Sequence, residues 1–103
     1  MSKLEINAGI CGFMTNVQAE AQSKYQCKIN IESQCKHVQK LAEKLGEVNA
    51  MDELFKKGKS QVLAAAQDTL PHLTCPAPIG ILRAVEVCTG LALPKDVTIK
   101  FND

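Results

Sequence analysis

The chain has no tryptophan, one tyrosine and three phenylalanines. A core built without large rings must be filled by aliphatic side chains, with alanine at the close contacts. Long apolar runs are also missing, and none approaches the roughly 20 residues needed to span a bilayer. Neither sign of charge is in excess: 12 basic and 11 acidic residues leave a formal net charge of +1. That removes any electrostatic case for nucleic acid or an anionic membrane as partner. The one basic run, Lys56-Lys57-Gly58-Lys59, has no interleaved aromatics and reads as a solvated loop. Catalytic motifs are absent in the same way. There is no Cys-x-x-Cys, Gly-x-Gly-x-x-Gly or P-loop, no Ser-His-Asp arrangement, and the acidic residues are scattered singly on polar faces.

What is present is enough for one folded domain, residues 1–103, with a single modest core. An apolar fraction of 46% argues against disorder. The five cysteines are odd in number and irregular in spacing, which argues against a secreted disulfide framework. Met1 to Asn7 is short and mixed in polarity, so no leader is expected, and a cytosolic location follows.

Periodicity gives the elements. Phe13, Thr15, Val17, Ala19 and Ala21 alternate with polar residues, as do Tyr25, Cys27, Ile29 and Ile31. The polar break Gln22-Ser23-Lys24 joins the two strands as an antiparallel hairpin. Ser33 is an N-cap candidate for a helix over residues 34–45, whose stripe is Val38, Leu41, Ala42 and Leu45, with Gly46 as a left-handed stop. Met51, Leu54 and Phe55 suggest a short helix ending near Gly58, and Val62, Leu63, Ala66 and Leu70 another, stopped by Pro71. Thr74-Cys75-Pro76-Ala77-Pro78 opens a helix with Ile81, Leu82, Val85 and Cys88 as its buried stripe and Gly90 as its stop. Val97, Ile99 and Phe101 alternate with Asp96, Thr98 and Lys100 and read as a last strand. The order β-β-α-(α-α)-α-β predicts an α+β fold, a small antiparallel sheet with helices packed on one face.

The cysteines divide by position. Cys27 lies on the apolar face of the second strand and Cys88 on the stripe of the last helix, and both read as core residues. Cys11 lies between glycines in Gly9-Ile10-Cys11-Gly12, where the backbone can curl N–H groups toward a sulfur, or where a turn simply carries an incidental cysteine. With Ser33 as cap, Cys35 falls at the second helical position, beside free N–H groups, although it equally begins the stripe that runs to Leu45. Cys75 precedes a proline-stiffened helix start, and His72, three residues upstream, makes His72-x-x-Cys75 half of a zinc-site spacing. A surface or capping histidine is the plainer reading of His72, and His37 reads as a solvated helix residue.

Gly9-Ile10-Cys11-Gly12-Phe13, Ile31-Glu32-Ser33-Gln34-Cys35 and Cys75-Pro76-Ala77-Pro78 through Ile81-Leu82-Arg83-Ala84-Val85-Glu86-Val87 belong together. With the tail Gly90-Leu91-Ala92-Leu93-Pro94-Lys95-Asp96-Val97, they resemble a family of small uncharacterised prokaryotic proteins with many members from anaerobes. The resemblance covers most of the chain and brings no activity with it. A looser likeness is to the TSCPD-type domain found near ribonucleotide reductases, with Cys35 and Thr74-Cys75-Pro76 as the matching positions. The serine between threonine and cysteine and the aspartate after proline are absent here. That likeness implies metal binding by those cysteines without naming the metal.

Three readings follow. In the first, Cys11, Cys35, Cys75 and His72 hold zinc, or the thiolates hold an iron–sulfur cluster. In the second, Cys35 or Cys75 is a redox thiol or nucleophile at a helix start. In the third, all five cysteines pack and the chain is a structural or interaction domain. No nucleic acid or membrane partner is expected, and an exposed strand edge would allow a homodimer.

Overall fold

The computed structural model describes residues 1–103. Four strands form one antiparallel sheet in the order β1-β2-β3-β4: β1 (Ser2–Asn7), β2 (Met14–Ala21), β3 (Gln26–Ser33) and β4 (Glu47–Asn49). Helix α1 (Lys36–Lys44) lies between β3 and β4, and α2 (Ala50–Phe55), α3 (Gln61–Thr69) and α4 (Ala77–Cys88) follow β4. This is the expected α+β class, with a sheet on one side and helices on the other.

Alternation decides the layers. Ile6, Thr15, Val17, Ala19, Cys27 and Ile29 are buried on one face of the sheet, while Lys3, Glu5, Asn16, Gln18, Lys28, Asn30 and Glu32 are exposed on the other. Successive strand residues point to opposite faces, so one apolar set suffices to attach the helices. Val38 and Leu41 of α1, Val62 and Ala66 of α3, and Ile81, Ala84 and Val85 of α4 close the core from above. Thr15 is the polar exception on the inner face, and its hydroxyl donates to Ser33 Oγ at 2.8 Å, so nothing buried is left unpaired there.

Helix α4 crosses β1 and β2 and ends over β3. Near its start, Gly80 packs directly on Ile6, and a Cβ at that position would overlap the Ile6 side chain and lie 3.6 Å from Leu4 Cδ1. Near its end, Cys27 of β3 approaches the Val85 carbonyl. The helix therefore runs from the Asn7 end of β1 toward the Ser2 end. No helix is long and apolar enough to cross a membrane.

Five local expectations are corrected. The last strand is absent: residues 91–103 are irregular, and Ile99 and Phe101 are 90% and 87% exposed. Alternation specifies two faces but supplies no partner for the backbone, and here nothing pairs with it. A strand is found instead at β1, and a short one at β4, so the order is β-β-β-α-β-α-α-α. The N-cap of α1 is Cys35, not Ser33; the Ser33 hydroxyl accepts from Cys35 N at 3.1 Å and holds the turn before the helix. Gly46 is not left-handed: Leu45 before it is already extended, and Gly46 bends the chain into β4 with its carbonyl accepting from Ile29 N at 2.8 Å. Finally, Glu53 is not a solvated carboxylate. It is buried, and it accepts from Ser60 Oγ at 3.0 Å, Gln61 N at 2.6 Å and Val62 N at 2.9 Å.

The Glu53 carboxylate thus caps the N-terminus of α3 from the preceding helix. Charge-assisted bonds to free helix N–H groups are among the stronger ones. Glu53→Gln removes the charge and one acceptor oxygen. It is expected to lower unfolding free energy by about 1.5–3 kcal/mol in urea titration, with Glu43→Gln on the exposed side of α1 as a near-neutral control.

Candidate functional site

One end of the sheet carries two of the turn-located cysteines and faces the loop that holds the third. Ser33 pairs with Thr15 and Thr15 with Ile6, so the C-terminal ends of β1 and β3 lie side by side around the start of β2. Cys11 belongs to a single 3-10 turn, Gly9–Cys11, between β1 and β2, closed by Gly12 N donating to Gly9 O at 2.9 Å. Gly9 and Gly12 both have positive φ, which is why glycine flanks this cysteine on either side. Cys35 follows β3 at the same end and is half-buried. Cys75 precedes α4, whose first turns lie over Ile6, so it reaches that end from the helical layer.

The junctions hold these residues by backbone geometry. Cys35 is the N-cap of α1, and its side chain makes no capping hydrogen bond. Gln39 N donates to its carbonyl at 3.0 Å, and the Gln39 amide donates to Ser33 O at 2.8 Å, tying the first helical turn to the strand end. Cys75 N donates to His72 O at 3.4 Å, so one turn spans the His72-x-x-Cys75 spacing. His72 is exposed, as is Cys11, whereas Cys75 is half-buried. No three His, Cys, Asp or Glu side chains stand together in a cluster able to hold a metal ion.

The structure does bring one pair of thiols together, and it is the other pair. Cys27 on β3 and Cys88 at the end of α4 both donate toward the Val85 carbonyl, at 4.0 and 3.5 Å. Burial pushes the Cys27 thiol up to about 12, and the hydrogen bond and charge of Cys88 beside it add to the rise. A thiol held that high is neutral and a poor nucleophile at physiological pH. Sequence periodicity assigned each to a core stripe, but only the crossing of α4 over β3 makes them neighbours.

The open face of the sheet offers a different surface. A depression of about 330 Å³ is lined by Asn16, Gln18, Asn30, Ile31 and Glu32, and a second of about 300 Å³ by Met14, Asn16, Glu32, Ser33 and Gln34. Neither contains a cysteine or histidine. Cross-strand pairing sets Gln18 beside Asn30 and Asn16 beside Glu32, so amides and the Glu32 carboxylate line this part of the face. The polar half of the two strand alternations marked these residues as outward-facing, with no motif to single them out.

Over residues 2–101 the chain matches DUF6951, a family of unknown function, and it belongs to that family. No curated protein and no solved structure matches it.

The raised Cys27 thiol has a consequence in alkali. Between about 9 and about 12 the unfolded thiol is ionised while the folded one still holds its proton. The native state then binds more protons than the unfolded state, so stability falls as pH rises through that window, by at most about 1.4 kcal/mol per pH unit. Denaturation at a series of pH values should give a shallower fall for Cys27→Ala than for the parent chain, and parallel curves would contradict the assignment.

Proposed function

We propose that this member of DUF6951 is a small metal-binding module in which Cys11, Cys35 and Cys75 supply thiolates and His72 the fourth donor. One observation carries the reading. The β1–β2 turn and the β3–α1 junction carry Cys11 and Cys35 at one end of the sheet, and the direction of α4 points the loop with Cys75 toward that end. All four donors lie outside strands and α-helices, at exposed or half-buried positions, where backbone adjustment is cheapest. Three thiolates and an imidazole are an ordinary tetrahedral zinc set. The same thiolates suit an iron–sulfur cluster with one non-cysteine ligand.

Because no group of three ligands is assembled in the present arrangement, metal capture requires residues 9–12 and 71–76 to close on the ion. Binding energy then becomes folding energy for those loops. The same fact favours a second reading, a structural or interaction domain whose cysteines carry no site. A free Cys35 side chain at the start of α1 supports a third, a thiol enzyme or redox sensor.

Elemental analysis with an absorption spectrum on anaerobically purified protein separates the three. About one zinc per chain, lost in both Cys35→Ser and Cys75→Ser, is the expected result. Visible absorption with iron and sulfide makes the site a cluster. Metal-free protein in which one cysteine is alkylated far faster than exposure explains moves the function to a reactive thiol. Metal-free protein with labelling that simply follows exposure, Cys11 first and Cys27 last, leaves an interaction domain.

A further inference from the structure

The segment after α4 has the pattern of a strand and no sheet to join. Val97, Ile99 and Phe101 alternate with Asp96, Thr98 and Lys100, yet Val97 is 55% exposed and the other two apolar residues are almost fully so. Three large apolar side chains at every second position, all in water, are costly for a folded chain and mark a contact surface. The sheet has a matching vacancy. Strand β1 pairs only with β2, so the N–H and C=O groups of every second residue, which point away from β2, are open along that edge. On its inner face Leu4 is only half-buried at that edge.

We propose that the segment 97–101 adds as a strand to the β1 edge of a second copy of this chain, reciprocally, giving a strand-exchanged homodimer. Direction favours a second copy over the same one. Helix α4 runs toward the Ser2 end of β1, so a strand following it in its own chain enters that edge parallel to β1. A second copy permits the antiparallel pairing, which is the slightly more stable ladder. In an antiparallel register with Ile99 beside Ile6, Phe101 lies beside Leu4, and their inner faces coincide. On the outer face Lys100 then stands opposite Glu5, an attractive cross-strand pair. Two such additions bury roughly 1,500–2,000 Å² in all, within the size range of a stable interface. They also remove the exposed edge that would otherwise invite uncontrolled pairing.

Light scattering coupled to size-exclusion chromatography on the 103-residue chain tests this directly. The parent chain is expected to be a dimer across a dilution series. Ile99→Asp and Phe101→Asp, both at exposed positions of the single chain, should be monomers with an unchanged circular dichroism spectrum. Glu5→Lys should weaken the dimer by about tenfold, since two like-charge pairs replace two opposite ones. Adding Lys100→Glu to it should restore the affinity. A parent chain that is monomeric at every concentration overturns the proposal, whether or not amides 97–101 are protected from exchange. A dimer indifferent to the Ile99 and Phe101 variants overturns it as well, because the copies then meet through another surface.

Discussion

The packing of α4 on the sheet is the contact on which the rest of the molecule depends. Gly80 lets the helix backbone settle against Ile6, and Val85 lies over Cys27 at the far end of the same helix. Between them Ile81 and Ala84 are fully buried in the helix that packs on β1 and β2. Small residues at the crossing bring helix and sheet close enough for aliphatic side chains to fill the space without aromatic bulk. Because Pro76 and Pro78 fix the start of the helix and Gly90 with positive φ ends it, both the direction and the length of this crossing are set locally.

That single crossing assigns different chemistry to the two ends of the fold. At the Asn7 end, where the β1–β2 turn holds Cys11 and the β3–α1 junction holds Cys35, α4 begins, with the loop that carries His72 and Cys75 ahead of it. At the Ser2 end it sets the buried Cys27 and the half-buried Cys88 against a shared carbonyl, and an apolar, alternating segment follows into solvent. Thiols at the first end are exposed or half-buried and sit on turns and loops. At the second end the Cys27 thiol is desolvated, which suits packing. The polar outer face of the sheet takes part in neither.

Much of this was legible in the sequence, and the misses have definite physical causes. β2, β3 and the four helices follow from periodicity because each buries one face against the core, and alternation or a three-four spacing records that burial. Ser2-Lys3-Leu4-Glu5-Ile6-Asn7 alternates just as clearly, but it is short and mixed in polarity, and the predicted order begins only with the second strand of the sheet. Asp96 to Phe101 alternates too and predicts a strand, but the folded chain offers that pattern no partner. The N-cap moved from Ser33 to Cys35 because the serine hydroxyl serves the preceding turn, a choice between two adjacent polar groups that spacing cannot make. Glu53 went unnoticed because its partners, the first N–H groups of α3, are backbone and leave no trace in side-chain patterning. Cys27 and Cys88 were each read correctly as core, but their contact depends on where a helix crosses a strand.

The crossing of α4 on β1 is best tested at Gly80 by urea denaturation of Gly80→Ala. Intrinsic helix propensity alone favours alanine in a helix interior by about 1 kcal/mol. The Ile6 contact predicts the opposite sign: a Cβ at position 80 must displace a buried isoleucine held between helix and sheet, at a cost of about 1–3 kcal/mol that outweighs the propensity gain. A net loss of stability supports the account. A gain of about 1 kcal/mol would mean that α4 does not rest on Ile6, and the shared placement of the cysteines and of the released segment would lose its basis.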